Sequence, residues 1–338
     1  VSSLNICVYL ALIRLKKLCK QNMNKIICVI ALLLLSQVFR AQIPGSVKPA
    51  FEQLSNFPNI RDFALTESGN EAYITIQSHL GELSVLAQIK KQNGIWGEPV
   101  IMSFSGKYSD LEPFLSKGGL RLYFSSNRPM DDDEIKPKDF DIWYVERETT
   151  ADAWGSPVNL GPPVNTSHNE FYPSLADNKN LYFTSDMNAS KAKDDILFSA
   201  WTDSGYAEPK ILTEAINSVG HDFNAYISPE ENYIIFTSYN RKDGFGSGDL
   251  YLSFRNQDGE WTEAVNLGEP YNSKSMDYCP FVDTRSDTLY FTSKRSAVNE
   301  FNDFGSLDEV MLEISKYENG FSRIYKVPFD EKMFLKMK

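Results

Sequence analysis

The 338 residues carry 45 acidic against 34 basic side chains, a formal net charge of −11. A surface of that sign repels phosphate backbones and excludes nucleic acid as a natural partner. Of the four cysteines, Cys7, Cys19 and Cys28 stand near the start, so Cys279 has no disulfide partner in the rest of the chain.

In chain order, Met23 is a better start than Val1, and residues 1–22 are not expected to belong to the protein proper. Residues 23–41 read as a secretory signal peptide. Lys25 supplies the positive end, Ile26–Leu35 is an apolar run of ten, and Ala41 is the expected cleavage residue. An uncleaved N-terminal anchor is the alternative, but the run is short for a bilayer span. Cleavage removes six basic residues and no acidic one, which takes the net charge to −17. Residues 42–338 are then expected to form one domain, periplasmic or secreted, with no stable membrane span after processing.

That domain is repetitive. "LYFTS" occurs at Leu181–Ser185 and again at Leu289–Ser293, with near-copies at Leu122–Ser126 and Ile234–Ser238 and a degenerate one at Ala72–Ile76. Each copy follows an acidic residue, placing unit starts near Asp62, Asp110, Glu170, Asp222 and Asp277. Between acid and copy lies a turn rich in Gly, Asn and Asp, the chemistry of hairpins. A third strand follows ("ELSVLA", "DIWYVE", "DILFSA", "DLYLSF", "DEVMLE"), then a fourth opened by an aromatic: Trp96, Trp154, Tyr206, Trp261 and Phe321. Four short β-rich strands per unit, with no long 3.6-period stripe, predict an all-β chain. The expected fold is a β-propeller of four-stranded antiparallel blades, which leaves only short outer edges exposed. Five blades are legible. A sixth would need residues 42–60 to pair with the tail at 325–338. Phe124, Phe183, Phe236 and Phe291 are expected between blades, and Trp96, Trp154 and Trp261 in gaps near the outer strands.

The stretches Trp154–Asp186 and Trp261–Arg295, with their W-x-x-P/A-V-N-L-G, acid-x-x-P and L-Y-F-T-S elements, resemble the TolB-type, WD40-like (PD40) β-propeller repeat. Gly244–Ser253 resembles the Gly-rich approach to its third strand. The resemblance covers about Asp62 to Pro328 and implies an exported protein of the Gram-negative envelope. The α/β domain of TolB proper and a peptidoglycan-binding OmpA-type domain are not recognisable, so a direct role in Tol–Pal or murein anchoring is not implied.

The candidate site is a channel rim formed by Asp62, Asp110, Glu170, Asp222 and Asp277, with Arg128 and Arg295 four residues after their phenylalanines and Arg241 one further on. Converging carboxylates can do acid–base work or hold a cation. An acid repeated in every unit better fits a structural cap that accepts backbone hydrogen bonds. His79, His168 and His221 are too few and too scattered for a metal site. Asp131–Glu134 reads as a solvated charged loop, and no phosphate-binding or nucleophile motif is present. No metal, cofactor or catalytic residue is therefore assigned. The leading expectation is a monomeric, non-catalytic module binding an envelope or secreted protein or peptide. The alternative is a carbohydrate-active enzyme, a glycoside hydrolase or lyase, acting on an oligosaccharide through axial carboxylates.

Overall fold

The computed structural model describes residues 46–130, 136–187, 193–299 and 302–336. Residues 1–22, the expected signal peptide at 23–41 and the acidic loop 131–134 lie outside the described residues. From Ser46 onward the chain packs as one unit.

Among the described residues, twenty strands build five antiparallel blades of four, and short pairings at Ile95–Trp96 and at Trp201–Thr202 with Gly205–Tyr206 extend two of the third strands. The first sheet holds β2 (Asn59–Leu65), β3 (Glu71–Gln77), β4 (Ser84–Gln92) and β5 (Val100–Ile101). The second holds β6 (Asp110–Leu115), β7 (Arg121–Ser126), β8 (Asp141–Glu146) and β9 (Val158–Asn159). β10 (Glu170–Leu175), β11 (Leu181–Ser185), β12 (Asp195–Ser199) and β13 (Lys210–Ile211) form the third. The fourth is β14 (Asp222–Ile227), β15 (Tyr233–Ser238), β16 (Asp249–Phe254) and β17 (Val265–Asn266). The fifth is ordered β1 (Lys48–Pro49), β20 (Arg323–Pro328), β19 (Thr288–Ser293) and β18 (Asp277–Asp283). The molecule is a five-bladed β-propeller.

The fifth blade differs from expectation. "DEVMLE" is not a strand: it lies in the helix α1 (Leu307–Ile314), where Ser306 accepts the Glu309 N–H as an N-cap. The segment "RIYKVP" is the third strand rather than the fourth. The fourth comes from the other end of the described chain, where Lys48 pairs with Lys326 and Pro49 with Tyr325. Residues near 48 do meet the tail, as a sixth blade would require, but they complete the fifth.

Five apolar clusters fill the five joints between blades. Leu122, Phe124 and Val145 pack on Ala64, Tyr73 and Leu86 of the first blade. Phe183 joins Tyr123 and Ile142. Phe236 joins Tyr182 and Ile196, and Phe291 joins Ile235 and Leu252. Ile324 closes on Ile60 and Ile74. The second strand repeats because each joint needs a large ring at the same depth, and the four repeated phenylalanines are at most 1% exposed. The tryptophans cross the same joints: the Trp154 Nε1–H donates to the Tyr73 hydroxyl at 3.2 Å, and Trp261 stands edge-on to Tyr182.

Strand direction sorts the loops by face. Inner strands run away from one face and second strands return to it, so Asp110 lies opposite Ser126 and Asp222 opposite Ser238. Turns between these two strands are tight hairpins on the far face, here the hairpin face. Connections from second to third strand, and from one blade to the next, gather on the near face, here the loop face. These include 127–140, 239–248 and the 294–322 segment that carries α1.

Candidate functional site

Each inner strand is broken at the same place by a β-bulge. The register shifts between Arg61 and Ala64, Leu111 and Phe114, Phe171 and Ser174, Phe223 and Tyr226, and Tyr278 and Phe281. The bulged residue takes a positive φ in every blade: Asp62 (58°), Glu112 (61°), Tyr172 (50°), Asn224 (50°) and Cys279 (53°). None of the five is glycine, so each holds a conformation that costs about 1–3 kcal/mol and needs support from its surroundings. Proline follows at Pro113, Pro173 and Pro280, where the bulge asks for no ladder N–H. The acid-x-x-Pro pattern is thus the signature of this bulge.

The support comes from the fourth letter of the repeated strand. The N–H of Glu112 donates to Thr75 Oγ1 of the preceding blade (3.1 Å), that of Tyr172 to Ser125 Oγ (3.2 Å), that of Asn224 to Thr184 Oγ1 (3.0 Å) and that of Asp62 to Thr292 Oγ1 (3.1 Å). The equivalent hydroxyl at the remaining joint, Thr237 Oγ1, is buried without a partner.

The five acids expected at one position therefore divide. Asp62 is a bulge residue. Ile60, opposite Ile76, holds the place in its blade that Asp110 holds opposite Ser126. Asp110, Glu170, Asp222 and Asp277 are the true equivalents, each at most 1% exposed. They cap the loops that lead into their blades. Asp222 accepts from the Ser218 N–H (2.6 Å) and hydroxyl (2.9 Å), Asp277 likewise from Ser273 (2.6 and 2.8 Å), and Asp110 from the Ser105 hydroxyl (2.7 Å). The remaining oxygens meet arginines: Arg128 to Asp110 at 2.5 Å, Arg241 to Asp222 at 3.1 Å, Arg295 to Asp277 at 2.9 Å. Each guanidinium also lies about one ring width over its blade's phenylalanine, 5.1–5.2 Å from the centroids of Phe124, Phe236 and Phe291. The third blade has Met187 in place of the arginine. Burial pushes the Glu170 carboxyl up to about 7, against the hydrogen bonds from Thr166 and with a smaller push from Asp141 and Asp139.

Sequence reasoning missed a set of asparagines beside these caps. Asn165, Asn217 and Asn272 each accept from and donate to one third-strand residue (Ile142, Ile196 and Leu250), so an amide stands in for a strand partner. The signal was legible: each stands five residues before its blade's acid and is followed by Ser or Thr.

On the axis the bulge residues meet. Arg61 donates to Asp62 (2.9 Å) and to Glu112 (2.8 Å), and reaches the Cys279 sulfur at 3.3 Å. Glu112 also accepts from the Asn224 amide (3.2 Å), the Tyr172 N–H (2.8 Å) and the Ser125 hydroxyl (3.2 Å). Burial raises the Glu112 carboxyl to about 7, the Arg61 charge opposing and Asp62 assisting. The Cys279 thiol is pushed well up by burial, which keeps it protonated and unreactive. Unlike the caps, these five positions differ in every blade. That asymmetry, absent from the acidic repeat, is what a ligand site at a propeller axis requires. Yet every named oxygen of Asp62 and Glu112 already accepts a bond from the protein.

No family model matches the chain, and no curated protein aligns with it. Among solved structures it is similar to TolB from Acinetobacter baumannii, at 10% identity and a TM-score of 0.43, over 80% of this chain and 54% of that one. It is similar to a glycoside hydrolase at 10% identity and a TM-score of 0.48, over 79% and 86% of the two chains. A GH62 hydrolase in complex with xylotriose is similar at 11% identity and a TM-score of 0.45, over 84% and 94%. The chain spans about half the length of the TolB structure. Likenesses at this level carry no argument about activity.

Proposed function

We propose that the chain is an exported, non-catalytic propeller of the TolB-type repeat class that holds a protein or peptide on its loop face. One observation carries this reading. Large apolar side chains stand exposed on the loops of that face: Leu80 (86%), Met130 (63%), Val219 (97%) and Phe245 (48%). Large apolar side chains left exposed on the loops of one face suit an interaction surface. The capping acids and the arginines Arg128 and Arg295 support that face from beneath. Cross-linked capture from native envelope extract tests it, with the tagged chain as bait. A dominant protein retained by the parent and lost with Val219→Ser/Phe245→Ser, while the melting temperature holds, is the expected result. Equal capture by the folded variant would overturn it.

A second reading, a carbohydrate-active enzyme, rests on Glu112, whose raised carboxyl would suit a general acid. Its saturation by four donors counts against it. Oligosaccharide turnover by the parent, abolished in Glu112→Gln at unchanged folding, would favour it over the binding role.

A further inference from the structure

The helix α1 and its flanks are built to be held open. The helix has eight residues and buries none of them. A helix this short is marginal alone and ordinarily draws its stability from a packed apolar face. Here polar ties do that work. Ser306 Oγ accepts the Glu309 N–H (3.3 Å) while Glu309 Oε2 accepts the Gly305 N–H (2.8 Å), so the carboxylate reaches back past the N-cap to the residue before it. At the other end Glu313 accepts the Asn299 N–H (2.6 Å) and pairs with Lys316, whose ammonium also reaches the Ala297 carbonyl (3.0 Å). With its ends fixed to its own loop, the helix leaves Leu307 (81%), Met311 (55%), Leu312 (75%) and Ile314 (48%) exposed. Leu307, Met311 and Ile314 recur at helical spacing and share one face of the helix, while Leu312 lies on a different side.

The charge around that stripe is one-sided. Asp303, Asp308, Glu309, Glu313 and Glu318 lie on the helix and its flanks, and the single base between 296 and 322, Lys316, is already paired. The geometry points to α1 as a docking helix for a basic amphipathic helix of a partner protein, an apolar stripe flanked by Lys or Arg. This rests on the binding role proposed above and names its chemistry. An anionic lipid surface would be repelled by the same carboxylates. Helix-on-helix contact over two turns is smaller than a standard interface, so α1 acts as one anchor of the loop face.

The test uses the full chain and a fluorescent fourteen-residue helical peptide of Leu and Lys in amphipathic order, with a Leu and Glu peptide as control. Anisotropy should show saturable binding of the Lys peptide only. Affinity should fall at least tenfold in Leu307→Ser/Met311→Ser/Ile314→Ser, which keeps every charge, and should be unchanged in Ile95→Ser/Val100→Ser, exposed apolar residues of the first blade. No binding, or equal binding by the triple variant, overturns the proposal, the latter as plain charge attraction. Binding of phosphatidylglycerol vesicles through the same three residues also overturns it, in favour of a membrane. The envelope capture separates the two readings. If a protein is captured through Val219 and Phe245 but the triple variant captures it equally, the docking helix falls and the binding face stands.

Discussion

The Thr184 hydroxyl oxygen accepts the backbone N–H of Asn224 at 3.0 Å, across the joint between the third and fourth blades. The bond ties a residue of positive φ in one blade to the repeated strand of the blade before it. It explains why that strand ends in Thr–Ser or Ser–Ser in four blades, and why the degenerate first copy still keeps Thr75.

Removing the hydroxyl should therefore cost stability. Thr184→Val leaves the Asn224 N–H unpaired and should lower unfolding free energy by about 1–3 kcal/mol. Thr237→Val is the matched control, because its hydroxyl is buried without a partner. It should fall within about 0.5 kcal/mol of the parent or stabilise it. Urea unfolding of both variants checks the pair, and equal losses would refute the tie.

The capping acids should behave as structure. Asp222→Ala strips the loop of its acceptor and leaves the Arg241 guanidinium, 10% exposed, facing no counter-charge. A loss of about 3–5 kcal/mol is expected. A variant that kept its melting temperature but lost binding would instead place Asp222 in contact with ligand.

Glu170 supplies a pH dependence. Its carboxyl is raised in the folded state, so the native protein binds its proton more tightly than the unfolded chain. The stability this contributes is fully present below the ordinary glutamate range and is lost as pH rises through about 7. The melting temperature of the parent should fall relative to that of Glu170→Gln as pH goes from 5 to 8. Parallel curves would show that Glu170 does not titrate there. Introducing the missing arginine, Met187→Arg, should lower the Glu170 carboxyl and flatten the parent's curve.

Ring closure can be tested by deletion. Phe51 and Leu54 are buried at 1% and 0%, and β1 is the outer strand of the fifth blade. A chain lacking residues 46–57 loses both side chains and that strand. It should be destabilised by at least about 5 kcal/mol, on the scale of two large core truncations, and should melt in a broadened transition.

The blade count was legible because the features that repeat are those every joint needs: a ring, a hydroxyl, an acid and a turn. The fifth blade was misread because its third and fourth strands depart from that rule. An aromatic at Phe321 imitated a fourth-strand opening, whereas β1 is only two residues long and lies far from its partners in sequence. The axial residues were missed for a different reason. The first blade has Ile60 where the others have a capping acid and carries an acid two residues on, so Asp62 imitates a cap in the sequence while standing at the bulge. What identifies Glu112, Tyr172, Asn224 and Cys279 as one set is a backbone angle, which no side-chain pattern announces.

The pairing of Lys48 with Lys326 also sets an order of events. The earliest strand of the described fold finds its place only after the last one exists. Four blades can form as local meanders while the chain is being made, but the fifth cannot. Until then the ring has two open ends, each offering an apolar joint surface to any neighbour. Completion of the ring is thus a single long-range event that waits for residues 323–328, the kind of step that slows folding most and that a helper protein would most usefully guard.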